Sequence, residues 1–320
     1  MSSVVIVGAS RGLGFALTKI WSETPSNTVI ALVRDKAAAT ATFEKDLPGR
    51  ANVRILTADL EDFESLKAAL EETRKILDNK LDYLIVNAAV SDSIVDDIGN
   101  AEGTNDALAS LRFSILNDRE QFDKDMIRTF KTNCLGVAHA LGLFAPLLLN
   151  GTAKKGVVIS SGAGDPHWTA KWRIFGHAPY GISKAAVNQV VAAFHAQYAY
   201  EGVTISAISP GIIKTEFNTP KPDGEWHLLP KAHSVNAAYM YSMPQNQLHS
   251  YEIMLTTQVD LNYQRVQKSF GPPTQASNRF KGPYTPDESA AKVTDVIVNH
   301  LDLEVNGGTL ISEYNDQQWV

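Results

Sequence analysis

One cysteine, Cys134, stands in the 320 residues. A lone thiol excludes an intrachain disulfide and any multi-cysteine metal site, as suits a reducing compartment. No histidine or base adjoins it, so it reads as a small buried hydrophobe. Cations are not in excess either. Twenty-nine Lys and Arg stand against 35 Asp and Glu, a formal charge of -6. No basic block could neutralise a run of phosphates, which excludes nucleic acid as the partner. Long apolar runs are missing: the longest, over 138–149, is interrupted by His139 and Pro146 and is too short to span a bilayer. Met1-Ser2-Ser3 leads straight into an apolar run without a basic region or a cleavable stretch, so a cytoplasmic protein with no membrane partner is expected. His167, His177, His227 and His233 lack metal-ligand spacing, and no metal is expected. Internal repeats are also absent.

What is present is a globular balance, 44% apolar and 20% charged. Short β-branched runs recur at 4–7, 28–33, 53–57, 83–86, 157–160, 204–208 and 309–312. Several are apolar on consecutive positions, as strands covered on both faces are. Helix-period segments lie between them, including Phe63, Leu66, Leu70, Thr73 and Leu77, and Val187, Val190, Val191, Phe194 and Tyr198. The alternation predicts an α/β fold, a Rossmann-type doubly wound, seven-stranded, mostly parallel sheet with helices on both faces, its ligands bound at the carboxyl ends of the strands. One domain over 1–320 is expected, with an extended substrate-loop region at about 218–283 and a polar stretch at 91–118. Thr285-Pro286-Asp287-Glu288 predicts the start of a last helix, running to about His300.

After the first strand comes Gly8-Ala9-Ser10-Arg11-Gly12-Leu13-Gly14, then a helix-like run. Glycines there let the backbone turn tightly and approach a diphosphate lying over the exposed N–H groups of a helix start. Arg34 and Asp35 end the second strand. A guanidinium there pairs with the 2′-phosphate of NADP, and Arg11 could close a clamp on it, while Asp35 keeps NAD as an alternative.

Tyr180 and Lys184, four apart at the start of a helical segment, project from one face. A phenol is a poor acid-base catalyst at neutral pH unless an adjacent ammonium stabilises its phenolate. Ser160 and Ser161 follow the fifth strand, where a hydroxyl can hold a carbonyl oxygen as charge develops or can cap the Gly162-Ala163-Gly164 turn.

Gly8-x-x-x-Gly12-x-Gly14, Asp59-Leu60, Asn87-Ala88-Ala89, Asn133, Ser161, Tyr180-x-x-x-Lys184 and Pro210-Gly211 together resemble the ordered motifs of short-chain dehydrogenases/reductases, over about residues 1–215. The strand at 309–312 and Glu313-Tyr314-Asn315-Asp316 add a weaker likeness to small fungal carbonyl and diketone reductases. The resemblance implies Tyr180 as proton donor, Lys184 as its electrostatic partner and a ligand of the nicotinamide ribose, Ser161 as the oxygen-positioning hydroxyl, and Asn133 as support for a water relay. For the cofactor it implies Gly8, Ser10, Arg11, Gly12, Leu13 and Gly14 around the diphosphate, Arg34 at the 2′-phosphate, Asp59 and Leu60 flanking the adenine, and Asn87, Ala88 and Ala89 along the middle. Pro210, Gly211, Ile213 and Thr215 would fix the carboxamide.

Val7 and Ala89 depart from the usual threonine and glycine, and the nineteen positions from Ser161 to Tyr180 exceed the usual spacing, so 165–177 is expected as an inserted loop over the site. Trp168, Trp172, Phe175, Trp226, Tyr239, Met240, Tyr241 and Met243 would line an apolar pocket for a bulky hydrophobic or aromatic ketone. The expected activity is NADPH-dependent carbonyl reduction on a small-molecule substrate by a monomer or homodimer, with NADP+ as the oxidised cofactor. An NAD-linked alcohol dehydrogenase and a non-catalytic cofactor-binding regulatory protein are the alternatives.

Overall fold

The computed structural model describes residues 1–91, 115–116, 119–172, 178–211, 213 and 284–313. Seven strands lie in one sheet: β1 (Ser3–Val7), β2 (Thr28–Val33), β3 (Val53–Thr57), β4 (Tyr83–Val86), β5 (Lys155–Ile159), β6 (Thr204–Ser209) and β7 (Leu310–Ser312). Their order is β3-β2-β1-β4-β5-β6-β7, and every pairing is parallel rather than mostly so. The order reverses between β1 and β4, and the crevice beyond their carboxyl ends is where such a sheet receives a ligand.

Consecutive apolar residues build these strands because both faces are covered. In β1, Val5 and Val7 join a core with α3 (Phe63–Leu77), while Val4 and Ile6 join a second core with α1 (Gly12–Ser22). The helices α5 (Val137–Leu148) and α7 (Ala178–Tyr198) complete the first layer, and α8 (Pro286–Asp295) completes the second. Along α3, Leu66, Ala69, Leu70, Thr73 and Leu77 are buried at helical spacing, whereas Phe63 stays 43% exposed beside His139. Thr285 caps α8 in a reciprocal capping box with Glu288, with Pro286 opening the helix. The helix ends in a π-helical turn, Val296–His300.

One element differs from the sequence expectation. Residues 165–172 are not a loop: Pro166–Trp172 forms a short helix, α6, because the Asp165 carboxylate accepts from the N–H groups of His167 (2.8 Å) and Trp168 (3.3 Å) and Pro166 fits the first helical position. The helix α4 (Arg119–Phe130) passes into α5 through a π-helical turn, Lys131–Gly136. The 218–283 region and residues 173–177 lie outside the described residues, as does most of 91–118. The helix α2 (Lys36–Asp46) follows β2.

Candidate functional site

The glycine turn is built by close approach. Gly8 has φ +85°, and a Cβ there would sit 2.6 Å from that of Ala88. A Cβ on Gly14 would lie 2.0 Å from the Gly8 oxygen and 2.6 Å from Asn87 Nδ2. Only hydrogen fits at either place. Asn87 Nδ2 donates to the Gly8 oxygen (2.9 Å), and the N–H groups of Asn87 and Ala88 donate to the Val7 oxygen (3.0 and 2.9 Å), so the ends of β1 and β4 lock together. Gly12 differs: at φ +55° it faces open space. There α1 begins with no side-chain cap and no acid in its first turn, while Ser10, Arg11 and Gly12 are exposed and Leu13 is buried. An open helix start of this kind accepts an anion.

Beyond β2, Arg34 is exposed, and the Asp35 carboxylate accepts from the Ala38 N–H at 3.0 Å as the N-cap of α2. After β3, Asp59 Oδ1 accepts from the Glu61 N–H at 3.0 Å. The Leu60 side chain is only 4% exposed and packs in the first core. Ala89 is exposed at the end of the segment following β4.

Lys184 is buried in the first turns of α7. Its Nζ donates to the Ile159 oxygen at 2.8 Å and lies 5.6 Å from the centroid of the Tyr180 ring. Burial pushes its pKa down to about 8. Asn133, fully buried in the π-helical turn, clasps Val90 in both directions: Oδ1 accepts from its N–H and Nδ2 donates to its oxygen, each at 2.8 Å. Nδ2 also donates to Ser183 Oγ (3.0 Å), whose hydroxyl donates to the backbone carbonyl oxygen of Tyr180 (2.7 Å).

The two serines after β5 separate cleanly. The hydroxyl of Ser160, 2% exposed, donates to Asn188 Oδ1 at 2.6 Å. Half-buried Ser161 accepts from the Ala163 N–H at 3.1 Å as cap of the Gly162–Gly164 turn. Accepting leaves its own proton to give.

On the far side, the Pro210 oxygen accepts from Ser289 Oγ (2.8 Å), and Ile213 bridges to Tyr284. Gly211 has φ +75°, and a Cβ there would lie 2.8 Å from both Glu313 Oε1 and the Tyr284 ring. Thr215 lies outside the described residues, as do Phe175, Trp226, Tyr239, Met240, Tyr241 and Met243. Trp168 is half-buried on α6, which ends at Trp172. No metal-holding group of histidines, cysteines and acids occurs among the described residues. Cys134 is buried, and burial pushes its thiol pKa up.

A family model described as short chain dehydrogenase matches residues 2–226. The chain belongs to the short chain dehydrogenase family. It is 32% identical over 321 residues to the short chain dehydrogenase virK of Hypocrea virens, covering 100% of both chains. It is 41% identical over 216 residues to the short-chain dehydrogenase/reductase iacC of Pestalotiopsis fici, covering 67% of this chain and 75% of that one. Among solved structures, the NADPH-bound carbonyl reductase from chicken fatty liver aligns with TM-score 0.64 at 19% identity, covering 99% of this chain and 93% of that chain. The carbonyl reductase Sniffer of Drosophila melanogaster aligns with TM-score 0.64 at 15% identity, covering 99% and 98%.

As a short chain dehydrogenase the chain is an oxidoreductase of a family that binds a nicotinamide cofactor. Among the described residues, no helix is long and apolar enough to cross a membrane. Sequence reasoning missed several residues that hold this dehydrogenase's site together: Ser183, Asn188 and Ser289, each a hydroxyl or amide joined to a partner distant in sequence. Ser183, three residues after Tyr180 and next to Lys184, carried a local signal; the others carried none.

Proposed function

We propose that this short chain dehydrogenase reduces a carbonyl to an alcohol with NADPH, Tyr180 giving the proton to the carbonyl oxygen. The observation that carries the reading is the buried ammonium of Lys184 beside the Tyr180 ring. A positive charge without bulk water favours the phenolate that remains once the proton has left. Bound NADPH supplies the hydride. Ser161 offers its proton to the carbonyl oxygen and holds it in place as charge develops there. The Lys184 ammonium keeps donors beyond the one used on Ile159, for the nicotinamide ribose and for a water held near Asn133, through which Tyr180 regains its proton.

The cofactor residues named above fit a dinucleotide: an uncapped helix start with Gly12 open to it, and a tight Gly8–Asn87 contact beneath. The choice of NADPH over NADH is supported by exposed Arg34 at the end of β2 and by the engagement of Asp35 in capping α2. The NADPH in the chicken carbonyl reductase structure points the same way. Half-buried Trp168, on the helix packed against the Ser161 turn, supports a bulky hydrophobic or aromatic ketone. We read the protein as a cytoplasmic monomer or homodimer acting on a small molecule. We also read it as one domain, since β7, which follows residues 218–283 in the chain, rejoins the sheet.

The test is NADPH consumption with a panel of aryl ketones and diketones, wild type against Tyr180→Phe. Loss of the proton donor is expected to slow turnover by about a thousandfold, and equal rates overturn the assignment. In parallel, Arg34→Ala should erase the preference for NADPH over NADH; an unchanged preference refutes the 2′-phosphate contact.

A further inference from the structure

The π-helical turn that carries Asn133 rests on the loop after β3 at two points. On one flank, Thr132 Oγ1 donates to Glu61 Oε1, and Lys131 Nζ lies 3.3 Å from Glu61 Oε2. The Arg128 oxygen, 3.1 Å from the same hydroxyl, is its alternative acceptor. On the other flank, Gly136 sits so close to Leu60 that a Cβ would come within 2.6 Å of the Leu60 oxygen. Between these flanks Asn133 reaches Ser183, and Ser183 reaches the Tyr180 backbone. Residues 60–61, the π-helical turn and the first turn of α7 therefore form one connected path.

The Glu61 side chain is not needed to build its own loop. Asp59 takes the Glu61 N–H, and Asp62 caps α3 by accepting from the N–H groups of Glu64 and Ser65 (3.0 and 3.1 Å). The contacts of the Glu61 carboxylate all run across to the π-helical turn and its neighbours. Thr132 and Lys131 together hold it below the ordinary carboxylate pKa, against the opposing pull of burial, so it is ionised at neutral pH.

We propose that Glu61 is a positioning residue that couples the adenine end of the cofactor site to the proton-relay end: occupancy beside Asp59 and Leu60 orders the π-helical turn that holds Asn133. The proposal rests on the nicotinamide-cofactor reading above. Coupling of this kind is reciprocal and carried by contacts that differ between the free and filled states.

The test uses adenosine 2′,5′-bisphosphate, the adenine half of NADP without its nicotinamide, and amide hydrogen exchange of the full chain. In wild type it should slow exchange in the glycine turn at 8–14 and also in the π-helical turn at 131–136. In Glu61→Ala the first protection should persist and the second should fall by about fivefold, the low end for coupled sites because Glu61 is partly exposed. Thr132→Val should behave likewise, whereas Glu61→Gln, which keeps the acceptor oxygen, should restore most of the effect. In turnover assays Glu61→Ala should lower kcat by about the same factor with KM for the carbonyl unchanged. Protection at 131–136 that is equal in wild type and Glu61→Ala overturns the coupling and leaves the cofactor reading intact. Absence of protection at 8–14 in wild type overturns the cofactor reading itself.

Discussion

Replacing Lys184 by methionine should strongly slow turnover while leaving the ligand-free protein about as stable as wild type. The ammonium is 3% exposed, and burial pushes its pKa from 10.5 to about 8. Between those two values the unfolded chain binds more protons than the folded one, so stability rises with pH across that window. Below pH 8 both states are protonated and the folded state carries the full cost of a buried charge, on the order of 3 kcal/mol. Methionine fills similar volume without charge. It also deprives the Ile159 oxygen of its donor, which costs about 1–3 kcal/mol, and removes a cation–π contact worth about 1 kcal/mol. The opposing effects nearly cancel, so urea denaturation at pH 7 should place Lys184→Met within about 1 kcal/mol of wild type. Turnover should fall by about a thousandfold. As pH rises from 8 towards 10.5, wild type should gain stability relative to the variant. A variant destabilised by more than about 3 kcal/mol at neutral pH, or a difference that does not move with pH, would refute this account of the buried ammonium.

Gly14→Ala should cost about 2 kcal/mol or more and prevent NADPH binding, since its Cβ meets the Gly8 oxygen at 2.0 Å, whereas Gly12→Ala, strained only by φ +55°, should cost about 1 kcal/mol; urea denaturation and cofactor titration report both. Ser160→Ala should lower stability by about 1 kcal/mol through the lost bond to Asn188 yet leave kcat near wild type, while Ser161→Ala, which loses the cap on Ala163 at a similar cost, should lower kcat by about a hundredfold. Asp82 accepts from the N–H groups of Ser3 (2.8 Å), Thr152 (2.7 Å) and Ala153 (3.3 Å) and from the Ser3 hydroxyl (3.1 Å). Burial raises its pKa, but these donors outweigh that and leave it below 3.8. Its contribution is therefore present above the ordinary carboxylate pKa and is lost as pH falls through the depressed value. Asp82→Ala should cost about 2 kcal/mol at pH 7, and thermal melts should show that deficit shrinking in strong acid.

The strands were legible because a parallel sheet covered on both faces demands consecutive apolar residues, and few other structures do. Runs such as Val4 to Val7 carry that signature within a handful of positions, and the Thr285 capping box marks α8 just as locally. The π-helical turn Lys131–Gly136 left no such mark. The extra residue falls between two helices of 12 residues each, too short for their apolar stripes to reveal the change of phase between them. The short helix α6 was hidden for another reason: seven residues hold too little periodicity to read, although the Asp165-Pro166 start was a local signal.

The same division runs through the site. Its glycines, Tyr180 and Lys184 announce themselves because each needs a particular residue type for a particular chemistry. The side chains that hold them in register do not: Thr132 and Glu61 are 71 positions apart, and Asn133 and Ser183 are 50 apart, so neither pair has a sequence pattern to betray it. Leu60 shows the limit from the other side. The motif containing it suggested a residue flanking the adenine, but in the loop after β3 the leucine side chain packs in the core beside half-buried Asp59. Burial is the property that decides each of these cases, and it is set by the whole fold. A lysine four residues after a tyrosine is unremarkable on an exposed helix. The same lysine closed in beneath β5, its ammonium held by the Ile159 oxygen, is a charge that the fold keeps at a cost in stability, and the proton transfer proposed at Tyr180 is a chemical reason to keep it.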